Sequence, residues 1–256
     1  MSTRNIRLVL AYEGTNYHGF QRQPGVATIQ EAVEEKLTRI TGEPIQVIAA
    51  GRTDAGVHAT GQVINFHTGG RIPTERIATA FNTLPPFDIV ARNPAEMPPE
   101  FHARYHARRR TYRYYLWRGG PSPFLRRYVV RTPPDFRADG VARMRAALPA
   151  LLGTHDFTSF CAVGAEAGSR VRTVSCAELH EHGPLIRLTI TADAFLQHMV
   201  RIIAGTLVEI ATGKRPPEEM AAILAARDRA TAGETAPPHG LFLTRVEYEP
   251  LEGTDR

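Results

Sequence analysis

The chain has 256 residues, 43% of them hydrophobic and 22% charged, with 21 Gly and 19 Pro, an ordinary composition that excludes a fibrous or largely disordered protein. Its length suits one large core or two modest ones, and two domains are expected. The formal net charge is +5, and 29 of the 31 basic residues are Arg, the two lysines being Lys36 and Lys214.

The chain opens with an apolar run that predicts a strand over Arg4 to Tyr12, followed by a Gly-rich, aromatic loop from Glu13 to Ala27 long enough to be functional. Thr28 and Glu31 read as a capping box, and Ile29, Val33, Leu37 and Ile40 fall on one stripe of a helix that Gly42 closes. Strands are predicted near Ile45 to Ala50 and Gln62 to Thr68, a short helix from Thr74 to Asn82 and a strand around Asp88 to Asn93. The order is βαββαβ. After the Pro-rich segment Pro94 to Pro99 come strands at Thr111 to Arg118 and Arg127 to Arg131 and a helix around Val141 to Leu152. Strands at Arg170 to Leu179 and Leu185 to Ala192 flank a turn at His182, Gly183 and Pro184. A helix from Phe195 to Thr212, a short one after Pro217 and a strand at Leu241 to Tyr248 complete the second half.

The expected fold is α+β: two ferredoxin-like, split-βαβ halves with mainly antiparallel sheets and a central active-site cleft, residues 1–105 and 106–256. No apolar stretch approaches the 18 residues of a membrane span. Leu8 to Tyr12 is too short for a signal-peptide core, so a cytoplasmic location is expected. Two cysteines, Cys161 and Cys176, make no disulfide framework in a chain of this length.

The basic charge is concentrated. From Phe101 to Arg131 there are nine arginines, no Asp or Glu, and eight of the chain's 20 aromatic residues. Arginines neutralise phosphates while aromatic rings and guanidinium planes stack on unpaired bases, so this interleaving points to RNA with accessible loops. Alternation along Thr111 to Arg118 places Tyr112, Tyr114 and Leu116 on one strand face and Arg113, Tyr115 and Trp117 on the other.

The segment GRTDAGVH, Gly51 to His58, is small, polar and tightly turned. Two glycines around an Asp allow positive φ and close approach by a ligand, so Asp54 either acts on a ligand or caps its own turn. The segment GRTDAGVHA, Gly51 to Ala59, resembles the catalytic signature of the tRNA pseudouridine synthase A family. The likeness continues in LAYEGTNYHGFQRQ at Leu10 to Gln23, TGQVINF at Thr60 to Phe66 and FHARYHARRRTYRYYLW at Phe101 to Trp117. It extends through HDFTSF at His155 to Phe160, FLQHMVRIIAGTLVE at Phe195 to Glu209 and HGLFLTRVEY at His239 to Tyr248.

The resemblance implies a tRNA-modifying isomerase acting on the anticodon stem-loop, at nucleotides 38 to 40, with no cofactor and no metal. It implies that Asp54 is the catalytic aspartate, as nucleophile or as base, and that Tyr112 stacks on the target base. Arg52 helps to displace the target nucleotide, Arg201 pairs with Asp54, and Leu241 lines the uracil pocket. The family also implies a homodimer. Phe20 stands where many relatives carry Trp, and the segment NTLPPFDI, Asn82 to Ile89, departs in its Leu-Pro pair and in Phe87. These departures bear on packing and loop shape. Cys176, His180 and His182 only superficially resemble a metal cluster, since a fourth ligand is missing. The alternatives are a non-catalytic RNA-binding or chaperone protein, or a pseudouridine synthase with another RNA target.

Overall fold

A computed structural model describes residues 3–165 and 168–249. The fold is mixed α+β with mostly antiparallel strand pairing, and the chain divides into two compact units. Of the described residues, the first takes 3–108 and 242–249, the second those between 109 and 241. The linear division at residue 105 puts the last strand with the second half; by its contacts that strand groups with the first unit.

The first unit contains β1 (Arg4–Tyr12), α1 (Ile29–Thr41), β2 (Ile48–Ala49), β3 (His58–Thr68), α2 (Thr74–Asn82) and β4 (Ile89–Met97), and most of β10 (Leu241–Tyr248). Its strand order is β4-β1-β3-β10, with the two-residue β2 also on β3. Strand β1 alternates as its sequence requires, with Ile6, Leu8, Leu10 and Tyr12 buried. Ile6 and Leu8 stand opposite Phe66 and Ile64 of β3.

Helix α1 begins where Thr28 accepts the Glu31 amide at 3.4 Å and ends where Gly42 turns left-handed at φ +77. The capping box forms by this half; the Glu31 carboxylate faces Arg22 at 3.4 Å. Strand β4 runs on through Pro94, where the sequence predicts a break. It lies at the edge of this unit's strand order, and a bulge opposite Arg7 and Val9, with Asn93 at φ +49, takes up the proline.

Lys36 of α1 is 1% exposed. Its ammonium donates to the carbonyls of Pro86 and Ile89, both at 2.9 Å, and sits 4.0 Å from the Phe81 ring centroid. Burial lowers its pKa to about 8, with the Asp88 charge opposing.

The second unit holds most of β5 (Ala107–Trp117), then β6 (Val130–Arg131), α3 (Gly140–Ala147), β7 (Gly153–Asp156), β8 (Val171–His182), β9 (Leu185–Ala192), α4 (Met199–Thr212) and α5 (Glu219–Ala226). Its order is β5-β9-β8-β7, with β6 parallel to β5. A two-residue turn with Gly183 at φ +59 joins β8 to β9, and α3 packs on α4 and β8. Helix α4 starts at Met199, four residues later than the periodicity suggests, because His198 takes φ +63 and cannot belong to a right-handed helix. Helix α3 gives way after Ala147 to a tighter turn, Leu148–Leu151, containing Pro149. The short β7 has no counterpart in the sequence reading.

Candidate active site

The segment around Asp54 links β2 to β3 in the first unit. The Asp54 carbonyl accepts the Val57 amide at 3.1 Å, and Gly56 in the third position has φ +76, the backbone signature of a turn that only Gly adopts cheaply there. Asp54 is half-buried, and Arg52, two residues earlier, is exposed.

Both sides of Asp54 are pinned. The preceding Thr53 is buried; its hydroxyl meets Tyr12 Oη at 2.8 Å and its carbonyl accepts the Phe20 amide at 2.9 Å. Gln62 of β3 donates to the Gly51 carbonyl at 2.7 Å and to Tyr12 Oη at 3.5 Å. Burial pushes the Tyr12 phenol up to about 12, against its hydrogen bonds to Thr53 and Gln62, so it stays protonated at neutral pH.

Loop 13–27 lies against this turn. A Cβ on Gly14 would fall 2.1 Å from the Val57 carbonyl oxygen, and one on Gly19, already at φ +89, 2.8 Å from the Thr53 carbonyl oxygen. Only glycine permits such backbone contact. The Gly14 amide donates to His58 Nδ1 at 3.0 Å, so this nitrogen carries a lone pair and cannot donate to the Glu13 carboxylate 3.8 Å away. His58 is buried and stacks on Phe242 at 4.6 Å and 26°. Phe20, the departure from Trp, is buried 6.4 Å from the Tyr12 ring and therefore packs within the frame that fixes Thr53.

The remaining expected residues lie in the second unit. Tyr112 is buried on β5, paired with Ile190, and meets the Phe195 ring edge-on at 5.0 Å. Arg201 is half-buried in the first turn of α4, its Nε donating to the Ala236 carbonyl at 2.8 Å while its own carbonyl accepts the Ala236 amide at 3.1 Å. Gly205, one turn later, lets segment 234–236 reach the helix, since a Cβ would fall 1.8 Å from the Glu234 carbonyl oxygen. Tyr114 donates to the Pro237 carbonyl at 2.8 Å; burial raises its pKa and the Arg201 charge opposes that rise. Through Tyr114, strand β5, helix α4 and the segment leading to Leu241 are tied together, with Leu241 buried at the head of β10.

Arg52 and Asp54 thus share one turn of the first unit, while Tyr112, Arg201 and Leu241 share a framework in the second. Tyr12, Gly14, Gly19, Thr53, Gln62 and His58 were not singled out from the sequence. Their signal is Gly14 and Gly19 of loop 13–27, which gain meaning only once that loop is seen against the Asp54 turn. Among the described residues no group of three or more His, Cys, Asp or Glu side chains could hold a metal ion. No helix there is long and apolar enough to cross a membrane.

The family model described as tRNA pseudouridine synthase matches residues 8–106 and 147–249. A tRNA pseudouridine synthase A from Moorella thermoacetica is 49% identical over 95% of this chain and 99% of its own. The proteins of that name from an Exiguobacterium strain and from Geobacillus kaustophilus are 45% and 44% identical, covering 97% and 96% of this chain and 100% and 95% of theirs. The matched residues include the Asp54 turn, the loop packed on it, the helix that carries Arg201 and the strand that begins at Leu241, whereas Tyr112 on β5 falls between the two matched segments. On that agreement, the chain belongs to the tRNA pseudouridine synthase family.

Proposed function

We propose that this protein isomerises uridine to pseudouridine in the anticodon stem-loop of tRNA, at positions 38, 39 and 40. The observation that carries the reading is a carboxylate, Asp54, opening a turn fixed on both sides by buried groups, within the segment that most closely resembles the family's catalytic signature. In the reaction the bond from uracil N1 to ribose C1′ breaks, the ring turns, and a bond from C5 to C1′ forms. C5 loses a proton and N1 gains one. Atoms and electrons balance without an external oxidant or reductant.

The ionised Asp54 acts either as nucleophile or as the base that starts cleavage. Arg201 pairs with it: a guanidinium has five N–H donors in a planar fork, and the Nε bond to Ala236 fixes the orientation of that fork. Tyr112 stacks on the target base, Arg52 displaces the nucleotide, and Leu241 lines the uracil pocket. A base inside a stem must leave its stack before a turn of the protein can reach C1′, and an exposed Arg52 beside Asp54 suits that task.

The order β4-β1-β3-β2 around two helices supports a split-βαβ reading of the first unit. The active form is proposed to be a cytoplasmic homodimer, and a monomeric mass by light scattering at micromolar concentration would contradict the dimer. The positional claim is tested with stem-loops in which uridines 38, 39 and 40 are replaced by cytidine one at a time. Each replacement removes pseudouridine at that position alone; modification elsewhere in the RNA would point to a different target.

A further inference from the structure

Between β4 and β5 the sequence FHARYH, Phe101 to His106, forms a turn in the first unit whose residues divide sharply by environment. Phe101 and Ala103 are buried among Ala50, Val63 and Met97, with the Tyr248 ring 5.2 Å from that of Phe101. Arg104, Tyr105 and His106 are exposed.

Two buried asparagines hold the turn from below. Asn5 Nδ2 donates to the Phe101 carbonyl at 2.8 Å, Asn65 Oδ1 accepts the Ala103 amide at 2.8 Å, and Asn65 Nδ2 donates to Asn5 Oδ1 at 2.8 Å. Tyr248 Oη donates to the Ala103 carbonyl at 2.8 Å. The tip is closed as tightly: His102 Nδ1 accepts the amides of Arg104 at 3.2 Å and Tyr105 at 3.3 Å, and His106 returns its own amide to the His102 carbonyl at 3.1 Å.

On this fixed tip Tyr105 is 74% exposed, yet it is backed by the His102 imidazole, with ring centroids 4.2 Å apart and planes 27° from parallel. The Arg104 guanidinium carbon lies 5.9 Å from the Tyr105 ring centroid. Because His102 Nδ1 accepts two amides, the imidazole is neutral, a state that its burial also favours. The surroundings are basic, with Arg108 and Arg109 following, although Glu249 pairs with Arg108 at 2.9 Å and Glu100 precedes the turn. Burying a polar asparagine pair to fix a turn is costly unless every bond is made. Here the bonds are made, and what they position is a ring stacked on one side and open to solvent.

We propose that Tyr105, backed by His102, is a preorganised stacking platform for an unpaired nucleobase of the tRNA, with Arg104 placed for an adjoining phosphate. The proposal rests on the reading of the protein as a tRNA-modifying enzyme. The platform is fixed through Asn65, whereas the Asp54 turn is fixed through Gln62. Three residues apart on β3, these side chains leave opposite faces of the strand. The proposed base is one other than the uridine being isomerised, whose recognition is assigned to Asp54 and Tyr112.

The test compares wild type, Tyr105→Ala, Tyr105→Phe and Arg104→Ala in equilibrium binding of unmodified tRNA across a salt series, with tritium release from C5-labelled uridine measured in parallel. Stacking on an aromatic residue contributes enough that Tyr105→Ala should weaken binding about 5- to 150-fold, with KM rising in step and the salt slope unchanged. Tyr105→Phe keeps the ring face and should stay within about twofold of wild type. Arg104→Ala should lower the salt slope by about 0.7 to 0.9, as one lost phosphate contact requires. Wild-type affinity in Tyr105→Ala, or a Tyr105→Phe protein as weak as Tyr105→Ala, overturns the platform while wild-type tritium release leaves the isomerase reading standing. A wild type that neither binds tRNA nor releases tritium overturns both. A change in sedimenting mass on Tyr105→Ala would assign the ring to a subunit contact and also overturn the platform.

Discussion

Gly14→Ala should disable the enzyme without unfolding it. The added Cβ would lie 2.1 Å from the Val57 carbonyl oxygen, where close C···O contacts are about 3.3 Å, so one backbone must retreat by about 1 Å. Val57 closes the turn that Asp54 opens, and a displacement of that size in a reacting group costs about 100-fold in rate. Forcing a methyl group into packed backbone costs about 1 to 3 kcal/mol, at about 2 to 4 °C in Tm per kcal/mol for a chain of this size. Gly25→Ala is the control: it lies on the same loop, with φ +75 and nothing within 4 Å of its Cβ. It suffers left-handed strain of about 1 to 2 kcal/mol but displaces no neighbour. The assay is single-turnover tritium release from saturating tRNA, with thermal melts of all three proteins. Matched melting temperatures with Gly14→Ala reacting within about twofold of Gly25→Ala would refute the claim that loop 13–27 fixes the carboxylate.

Tyr114→Phe removes the buried hydroxyl that donates to the Pro237 carbonyl and should cost about 1 to 2 kcal/mol, read as a lower denaturant midpoint; an unchanged midpoint would remove Tyr114 from the framework. Lys36, depressed to about 8 by burial, binds fewer protons folded than unfolded between that pH and its ordinary value, so it makes stability rise with pH across that window. Wild type should therefore gain on the order of 3 kcal/mol relative to Lys36→Met between pH 8 and 10.5, and parallel stability curves would contradict this. Binding of tRNA should weaken steeply with salt if several arginines of residues 101–131 meet phosphates. A salt-insensitive affinity would remove that role from the block.

Regular elements with local determinants were legible in the sequence. Thr28 and Gly42 mark the ends of α1, and the alternation of Tyr112, Tyr114 and Leu116 against Arg113, Tyr115 and Trp117 reappears in their burial. What the local pattern could not convey was context. Pro94 breaks a strand unless that strand lies at an edge and bulges, and an apolar run beginning at Phe195 continues a helix unless His198 turns left-handed. Strand β10 pairs in parallel with β3 through Phe242 to His58 and Leu243 to Ala59, a partner more than 180 residues away that no local signal announces. In the candidate site, resemblance to the family signature singles out Asp54 as the expected catalytic residue, but nothing local signals the buried hydrogen bonds of Tyr12, Thr53 and Gln62. Those depend on which side chains β1 and β3 bring to one face.

The proposed isomerisation rests on the Asp54 carboxylate. Asp54→Asn preserves size and shape while removing the charge, so it separates catalysis from binding and folding. Wild type and variant should be incubated with unmodified tRNA carrying tritium at uridine C5, with tritium release and RNA affinity measured together. Release by the wild type alone, with equal RNA binding by both, is the expected outcome; release by Asp54→Asn at the wild-type rate would remove Asp54 from the chemistry.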